Sequence, residues 1–136
     1  MLRTPLVALA LCLGTVAPAA DAPFDVKLTA TDGQAASLAA HAGKAATVVV
    51  FVSFECPVSN SYPLQLDALA KATAAKGAAV VLVCPTNEKP EAVSKAAAGF
   101  KLTVPVLLDP TKELAAALKA ETTPEAFVLD PKGKVV

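Results

Sequence analysis

Two continuous apolar runs, separated by a segment with helical spacing, most constrain the fold. The first run, Thr47 to Phe54, is rich in β-branched residues, as is typical of a strand covered on both faces. Apolar residues then recur at helical spacing up to Gly77, and the second run, Ala78 to Cys84, follows. A strand, a helix and a second buried strand form a βαβ unit, which is parallel and right-handed. The sequence therefore predicts an α/β fold.

The remaining predicted elements flank this unit. Alternating residues around Asp32-Gly33 predict an N-terminal β-hairpin between Phe24 and Leu38. The C-terminal half predicts two helices, an extended segment and two antiparallel strands joined by a tight turn: Pro90 to Gly99, Thr111 to Lys119, Val104 to Asp109, Glu125 to Asp130 and Lys134 to Val136. We therefore expect a central mixed β-sheet flanked by helices.

The first residues carry the features of an export signal. Arg3 precedes an apolar stretch from Leu6 to Val16 and an Ala17-Pro18-Ala19 cleavage pattern. The stretch is too short for a transmembrane helix. We therefore predict a signal peptide at residues 1–19 and a domain at residues 20–136 that is periplasmic or extracellular, without stable membrane insertion after cleavage.

The charge balance excludes one class of partner. Twelve basic and twelve acidic residues give a formal net charge of +0, and aromatic residues make up 4% of the chain. Proteins that bind nucleic acids instead carry basic patches or stripes. We therefore exclude nucleic acid as a partner.

The predicted domain holds two cysteines, Cys56 and Cys84, in an oxidising compartment. Cysteine counting leaves open whether they form a structural disulfide or include a reactive thiol. Cys56 lies where the first buried strand ends and helical spacing begins, so we expect its sulfur near unpaired N–H groups at the first turn of a helix. That position favours the nucleophilic thiolate; the alternative is a cysteine that only fills space. Pro57 is compatible with a first helical turn, and Ser59 can donate its hydroxyl to the sulfur.

Two motifs resemble the thioredoxin-like superfamily: Glu55-Cys56-Pro57-Val58-Ser59 after the first buried strand, and Thr123-Pro124 before an antiparallel strand. The likeness is to exported redoxin domains related to the alkyl hydroperoxide reductase/thiol-specific antioxidant group, and it covers Phe24 to Val136. It implies that Pro124 is a cis-proline opposite Cys56 and that the Thr123 backbone binds an extended substrate. The alternative is a trans proline that opens a strand. Such domains usually continue with a completed strand and a final helix, so we expect the C-terminal strand and helix to be incomplete.

The departures from this family pattern bear on the chemistry. Thioredoxins carry Cys-x-x-Cys, but Ser59 stands at the fourth position here, so an external thiol must resolve the product formed at Cys56. Cys84, which ends the neighbouring strand, is either that resolving thiol or a small buried residue. Peroxiredoxins carry Thr or Ser three residues before their cysteine, as Ser53 is here, but they also need an arginine. Residues 20–136 contain no arginine, and lysine does not reproduce the planar guanidinium fork.

The sequence favours a site without metal or cofactor. Copper-delivery proteins of this superfamily use two cysteines and a histidine as ligands. Ser59 replaces one such cysteine, and His41, the single histidine, lies in the loop before the central strand. We expect His41 to be a solvated loop residue.

These patterns favour an exported thioredoxin-fold thiol oxidoreductase with Cys56 as nucleophile. The expected substrates are a thiol or disulfide protein, a sulfenate or a small peroxide, and the expected reductant is an external thiol. The residues expected to support Cys56 are Ser53, Pro57, Ser59, Thr123 and Pro124. Two alternatives remain open: a one-cysteine peroxidase, and a non-catalytic module that binds partner chains in the same groove.

Overall fold

The computed structural model describes residues 22–136, so the predicted signal peptide at residues 1–19 lies outside the described residues. The described residues form six strands: β1 (Lys27–Ala30), β2 (Ala35–Ser37), β3 (Ala46–Phe51), β4 (Ala78–Cys84), β5 (Val106–Leu108) and β6 (Glu125–Leu129). The α-helices are α1 (Pro63–Ala74), α2 (Pro90–Gly99) and α3 (Glu113–Leu118), and short 3-10 turns span Leu38–His41 and Ser59–Ser61. No helix in this part of the chain is long and apolar enough to cross a membrane.

The strands form one mixed sheet in the order β2-β1-β5-β4-β3-β6. β3, β4 and β5 are parallel, which confirms the predicted βαβ unit. β6 is antiparallel to β3, and β1 is antiparallel to both β2 and β5. The predicted hairpin of β1 and β2 is confirmed, and Gly33 supplies its positive φ of 83°.

Side chains of β3 and β4 alternate between two buried faces of the sheet. On one face they pack against α3, in a core that includes Val49, Phe51, Val81, Val83, Leu114 and Leu118. On the other face they pack against α1 and α2, in a core that includes Val50, Val52, Leu82, Cys84 and Val93. Because both faces are covered, the two strands are apolar without interruption.

Two boundaries differ from the sequence-based expectations. α1 begins at Pro63, whose fixed φ suits the start of a helix, and the Ser59–Ser61 turn precedes it. The expectation that Cys56 lies in the first turn of a helix is therefore wrong. At the C-terminus, Val135 forms a single bridge with Leu129 instead of a strand.

Candidate functional site

Three segments of the chain meet at one edge of the sheet. The carboxyl ends of the parallel strands β3 and β4 lie in register at this edge. β6 begins at the same edge because it runs antiparallel to β3. The topology therefore brings Cys56, Cys84 and Thr123-Pro124 to one side of the molecule.

Cys56 lies in a turn that follows β3. Its N–H donates to the Ser53 carbonyl at 3.2 Å, and its own carbonyl accepts the N–H of Asn60 at 3.0 Å. The Asn60 side-chain amide also donates to the Phe54 carbonyl at 2.7 Å. Cys56 is half-buried within this turn, while Pro57 and Val58 after it are exposed. Hydrogen bonds thus hold the backbone on both sides of Cys56, and Cys56 itself is partly exposed.

Local hydrogen-bond donors lower the pKa of the Cys56 thiol from its ordinary value. The strongest influence is the backbone N–H of Ser59, followed by that of Val58; partial burial opposes them, and the Ser59 hydroxyl adds to the lowering. These donors belong to the short turn before α1, not to α1 itself. The lowering of the thiol pKa that was expected from a helix terminus is therefore present, but the N–H groups of a 3-10 turn cause it.

Ser59 lies three residues after Cys56 and is buried. Its Oγ accepts the N–H of Ser53 at 3.3 Å. The same hydroxyl therefore lowers the pKa of Cys56 and binds the backbone of Ser53, just after β3.

Glu88 is a member of the site that the sequence analysis missed. Its Oε1 accepts the Ser53 hydroxyl at 2.8 Å, the Phe54 N–H at 3.2 Å and the Thr86 hydroxyl at 2.8 Å. The Ser53 hydroxyl oxygen in turn accepts the N–H of Glu55 at 3.3 Å. The one signal available in the sequence was an acidic residue shortly after the strand that neighbours β3.

The loop before β6 lies at the same end of the sheet as the end of β3. The Thr123-Pro124 peptide bond is cis, as the family resemblance implied. The Glu125 carboxylate accepts the N–H groups of Glu121 and Thr122 at 2.7 and 3.1 Å, which holds this loop in place. Thr123 borders a cavity of about 230 Å³ that extends to Thr86 after β4.

The family model described as Redoxin matches residues 15–136. The chain belongs to the Redoxin family. No curated protein matches this redoxin.

Solved structures place the redoxin among thioredoxin-like folds. An uncharacterized conserved protein from Geobacillus kaustophilus is 30% identical with a TM-score of 0.73, and the match covers 81% of this chain and 62% of that one. A secreted disulfide oxidoreductase from Mycobacterium tuberculosis is 18% identical with a TM-score of 0.70, covering 86% and 84%. The bacterioferritin comigratory protein of Xanthomonas campestris, described by its alkyl peroxide reduction activity, is 24% identical with a TM-score of 0.70, covering 85% and 80%. The predicted thioredoxin-like α/β fold is confirmed.

This redoxin spans less than two thirds of the length of the first two structures it matches, 62% of the Geobacillus kaustophilus protein and 64% of one from Sinorhizobium meliloti.

Cys84 lies in a different environment from Cys56. It is fully buried at the end of β4, and both cysteines are free thiols. Burial raises the pKa of Cys84 to about 12, and the nearby charge of Glu88 adds to the increase. The Cys84 thiol is therefore protonated at neutral pH, and a resolving role requires that its sulfur first become exposed.

His41 lies away from these residues, at the end of the turn that precedes β3. It borders a cavity of about 630 Å³ together with Gly77, which precedes β4, and so lies at the amino ends of both strands. Within residues 22–136, no three His, Cys, Asp or Glu side chains lie close enough together to hold a metal ion.

Proposed function

We propose that this redoxin is an exported thiol oxidoreductase in which Cys56 is the nucleophile. The observation that carries the proposal is the set of N–H donors from Ser59 and Val58 that lowers the Cys56 pKa. A lowered pKa increases the fraction of thiolate at neutral pH, and the thiolate is the form that attacks disulfides. Export is supported by the signal pattern at residues 1–19 and by the likeness to a secreted protein of Mycobacterium tuberculosis.

The proposed reaction begins when the Cys56 thiolate attacks one sulfur of a substrate disulfide. A Cys56–substrate disulfide forms, the substrate S–S bond breaks, and the departing sulfur leaves as a thiolate that takes a proton from water. An external thiolate then attacks the substrate sulfur of this mixed disulfide, so that Cys56 leaves as a thiolate and a disulfide forms between the external thiol and the substrate. A second external thiol completes the reduction. With a sulfenic acid as substrate, hydroxide leaves instead of a thiolate.

The surrounding residues support this one-cysteine scheme. Ser59 cannot form a local disulfide, and its hydroxyl stabilises the thiolate instead. Cys56 is partly exposed and is followed by the exposed Pro57. In the proposal, the Thr123 backbone beside Pro124 binds an extended substrate segment across the site.

A one-cysteine peroxidase is the second candidate, favoured by the likeness to the Xanthomonas campestris protein. In that reaction Cys56 would attack a peroxide oxygen, forming a sulfenic acid and releasing an alcohol or water. Two observations favour disulfides over peroxides. The Ser53 hydroxyl already donates a hydrogen bond to Glu88, and residues 22–136 contain no arginine to bind a peroxide.

A direct test compares disulfide reduction with peroxide consumption, using glutathione as the external thiol. We expect Cys56→Ser to lower the rate of disulfide reduction by about a hundredfold or more, since the nucleophile is lost. Cys84→Ala separates the two thiols: if it stops turnover and traps a mixed disulfide on Cys56, Cys84 is the resolving thiol. Equal disulfide reduction by wild type and Cys56→Ser would reject the proposal. Peptide binding without any turnover would favour the non-catalytic module.

A further inference from the structure

One carboxylate oxygen connects the two strand ends at the site. Glu88, in the loop after β4, accepts donors from Ser53 and Phe54 in the loop after β3, and from Thr86 in its own loop. Hydrogen bonds to a charged acceptor are stronger than those between neutral groups. The position of the Cys56 loop therefore depends on a side chain from the loop that follows β4.

Ser53 links Glu88 to Cys56, because each of its polar groups is engaged. Its hydroxyl donates to Glu88 and accepts the Glu55 N–H, its N–H donates to Ser59 Oγ at 3.3 Å, and its carbonyl accepts the Cys56 N–H at 3.2 Å. Ser53 itself is buried. A displacement of Ser53 would therefore change the position of the Cys56 sulfur relative to Ser59, which supplies one of its donors.

We infer that Glu88 is a positioning residue for Cys56: by holding the Ser53 hydroxyl and the Phe54 N–H, it fixes the turn that presents the sulfur to its backbone donors. The inference rests on the proposed function of Cys56 as the nucleophile. Without the carboxylate, the Phe54 N–H loses its acceptor and the Ser53 hydroxyl can rotate. We then expect the sulfur to lie near the N–H groups of Ser59 and Val58 for a smaller fraction of the time, because the residues that hold its turn in place are less well fixed.

The test measures the rate of Cys56 alkylation by iodoacetamide across pH in the folded protein, with each cysteine quantified separately by mass spectrometry. The midpoint of the rate profile gives the Cys56 pKa. We expect Glu88→Ala to raise this midpoint by about one pH unit, corresponding to a tenfold smaller thiolate fraction well below the midpoint. Glu88→Gln retains an oxygen acceptor and is expected to shift the midpoint by less than about half as much. Glu91→Ala, an exposed glutamate in the first turn of α2, is the matched control and is expected to leave it unchanged.

A double-mutant cycle tests whether Glu88 acts through Ser53. We expect Ser53→Ala to raise the midpoint as well, and the shift in Ser53→Ala/Glu88→Ala to be smaller than the sum of the two single shifts, because both remove the same hydrogen bond. Ser53→Ala is nearly isosteric, so it decides the question if Glu88→Ala does not fold. In that case, an unchanged midpoint in Ser53→Ala overturns the inference.

Failure of the inference and failure of the proposed function have different signatures. If wild-type Cys56 alkylates with the midpoint of an ordinary thiol, the proposed function fails whatever the Glu88 variants do. If the wild-type midpoint is low but Glu88→Ala shifts it no more than Glu91→Ala does, only the inference is overturned. Strictly additive shifts in the double-mutant cycle overturn the route through Ser53.

Discussion

The Ser59 hydroxyl oxygen accepts the backbone N–H of Ser53 at 3.3 Å, across the turn that carries Cys56. Ser59 lies three residues after Cys56, and it is buried. The same hydroxyl also lowers the pKa of Cys56. Ser59 is therefore part of the hydrogen-bonded structure around Cys56.

Replacement of Ser59 by alanine is expected to affect stability and reactivity together. The buried Ser53 N–H would lose its acceptor, which costs about 1–3 kcal/mol of unfolding free energy. The Cys56 pKa would rise because one donor to the sulfur is lost. Urea denaturation and pH-dependent alkylation measure the two effects, with Ser61→Ala, at an exposed serine of the same turn, as the control. Unchanged stability and an unchanged alkylation midpoint in Ser59→Ala would contradict this assignment.

Cys84 is expected to resist alkylation in the folded protein and to make stability depend on alkaline pH. Its pKa of about 12 lies above the value of about 8.5 expected for an unfolded chain. The folded state therefore binds more protons between these values, so the stabilising contribution is complete below about pH 8.5 and is lost as the pH rises. One such group gives a slope of at most about 1.4 kcal/mol per pH unit.

The check is the pH dependence of unfolding between about pH 8 and 11, with Cys84→Ala as the comparison. We expect a smaller decline in the variant because it lacks the buried thiol. A wild-type Cys84 that alkylates as fast as Cys56 without denaturant would disprove the burial on which this prediction depends.

Asp67 ties α1 to the segment before β5 and is expected to make stability depend on acidic pH. Its Oδ1 accepts the N–H and hydroxyl of Thr103 at 2.6 and 2.8 Å and the N–H of Val104 at 3.0 Å, and its Oδ2 pairs with Lys71 at 2.7 Å. Lys71 first, and then the Thr103 N–H, hold the pKa of Asp67 well below its usual range. A depressed pKa in the folded state contributes stability above the unfolded value, about 4, that is lost as the pH falls.

Asp67→Asn is expected to lower stability at pH 7 and to reduce its decline between about pH 5 and 2, measured by urea denaturation at each pH. Asp32→Asn, at an exposed turn position, is the control and should retain the wild-type profile. An acid profile in Asp67→Asn identical to that of wild type would show that the contacts of Asp67 do not contribute.

Lys119 offers a site for stabilisation. It ends α3 in the left-handed region, with φ of 58° and ψ of 39°, and its side chain is exposed. Glycine adopts this conformation without the steric penalty of a Cβ, so we expect Lys119→Gly to raise the unfolding free energy by about 0.5–1 kcal/mol. Lys119→Ala, which retains a Cβ, is expected to give no such gain in the same urea titration. A loss of stability in Lys119→Gly would count against the helix end described here.

The sequence by itself determined the local elements and the position of Cys56, the proposed nucleophile, along the chain. The apolar runs predicted β3 and β4, Pro90 and Gly99 bounded α2 as observed, and Cys56 was assigned to the exit of the central strand. These features depend on the period of apolar residues and on turn chemistry, which act over a few neighbouring positions.

Only the tertiary structure decided which side chains hold the loop that carries Cys56. Glu88 and Ser53 are 35 residues apart in the chain, and they meet because the parallel pairing of β3 and β4 aligns the ends of both strands. The same pairing buries Cys84 within the sheet, whereas Cys56 lies beyond the end of its strand and is partly exposed. The two cysteines therefore lie in different environments. Contacts of this kind depend on strand register and core packing, which local sequence patterns do not specify.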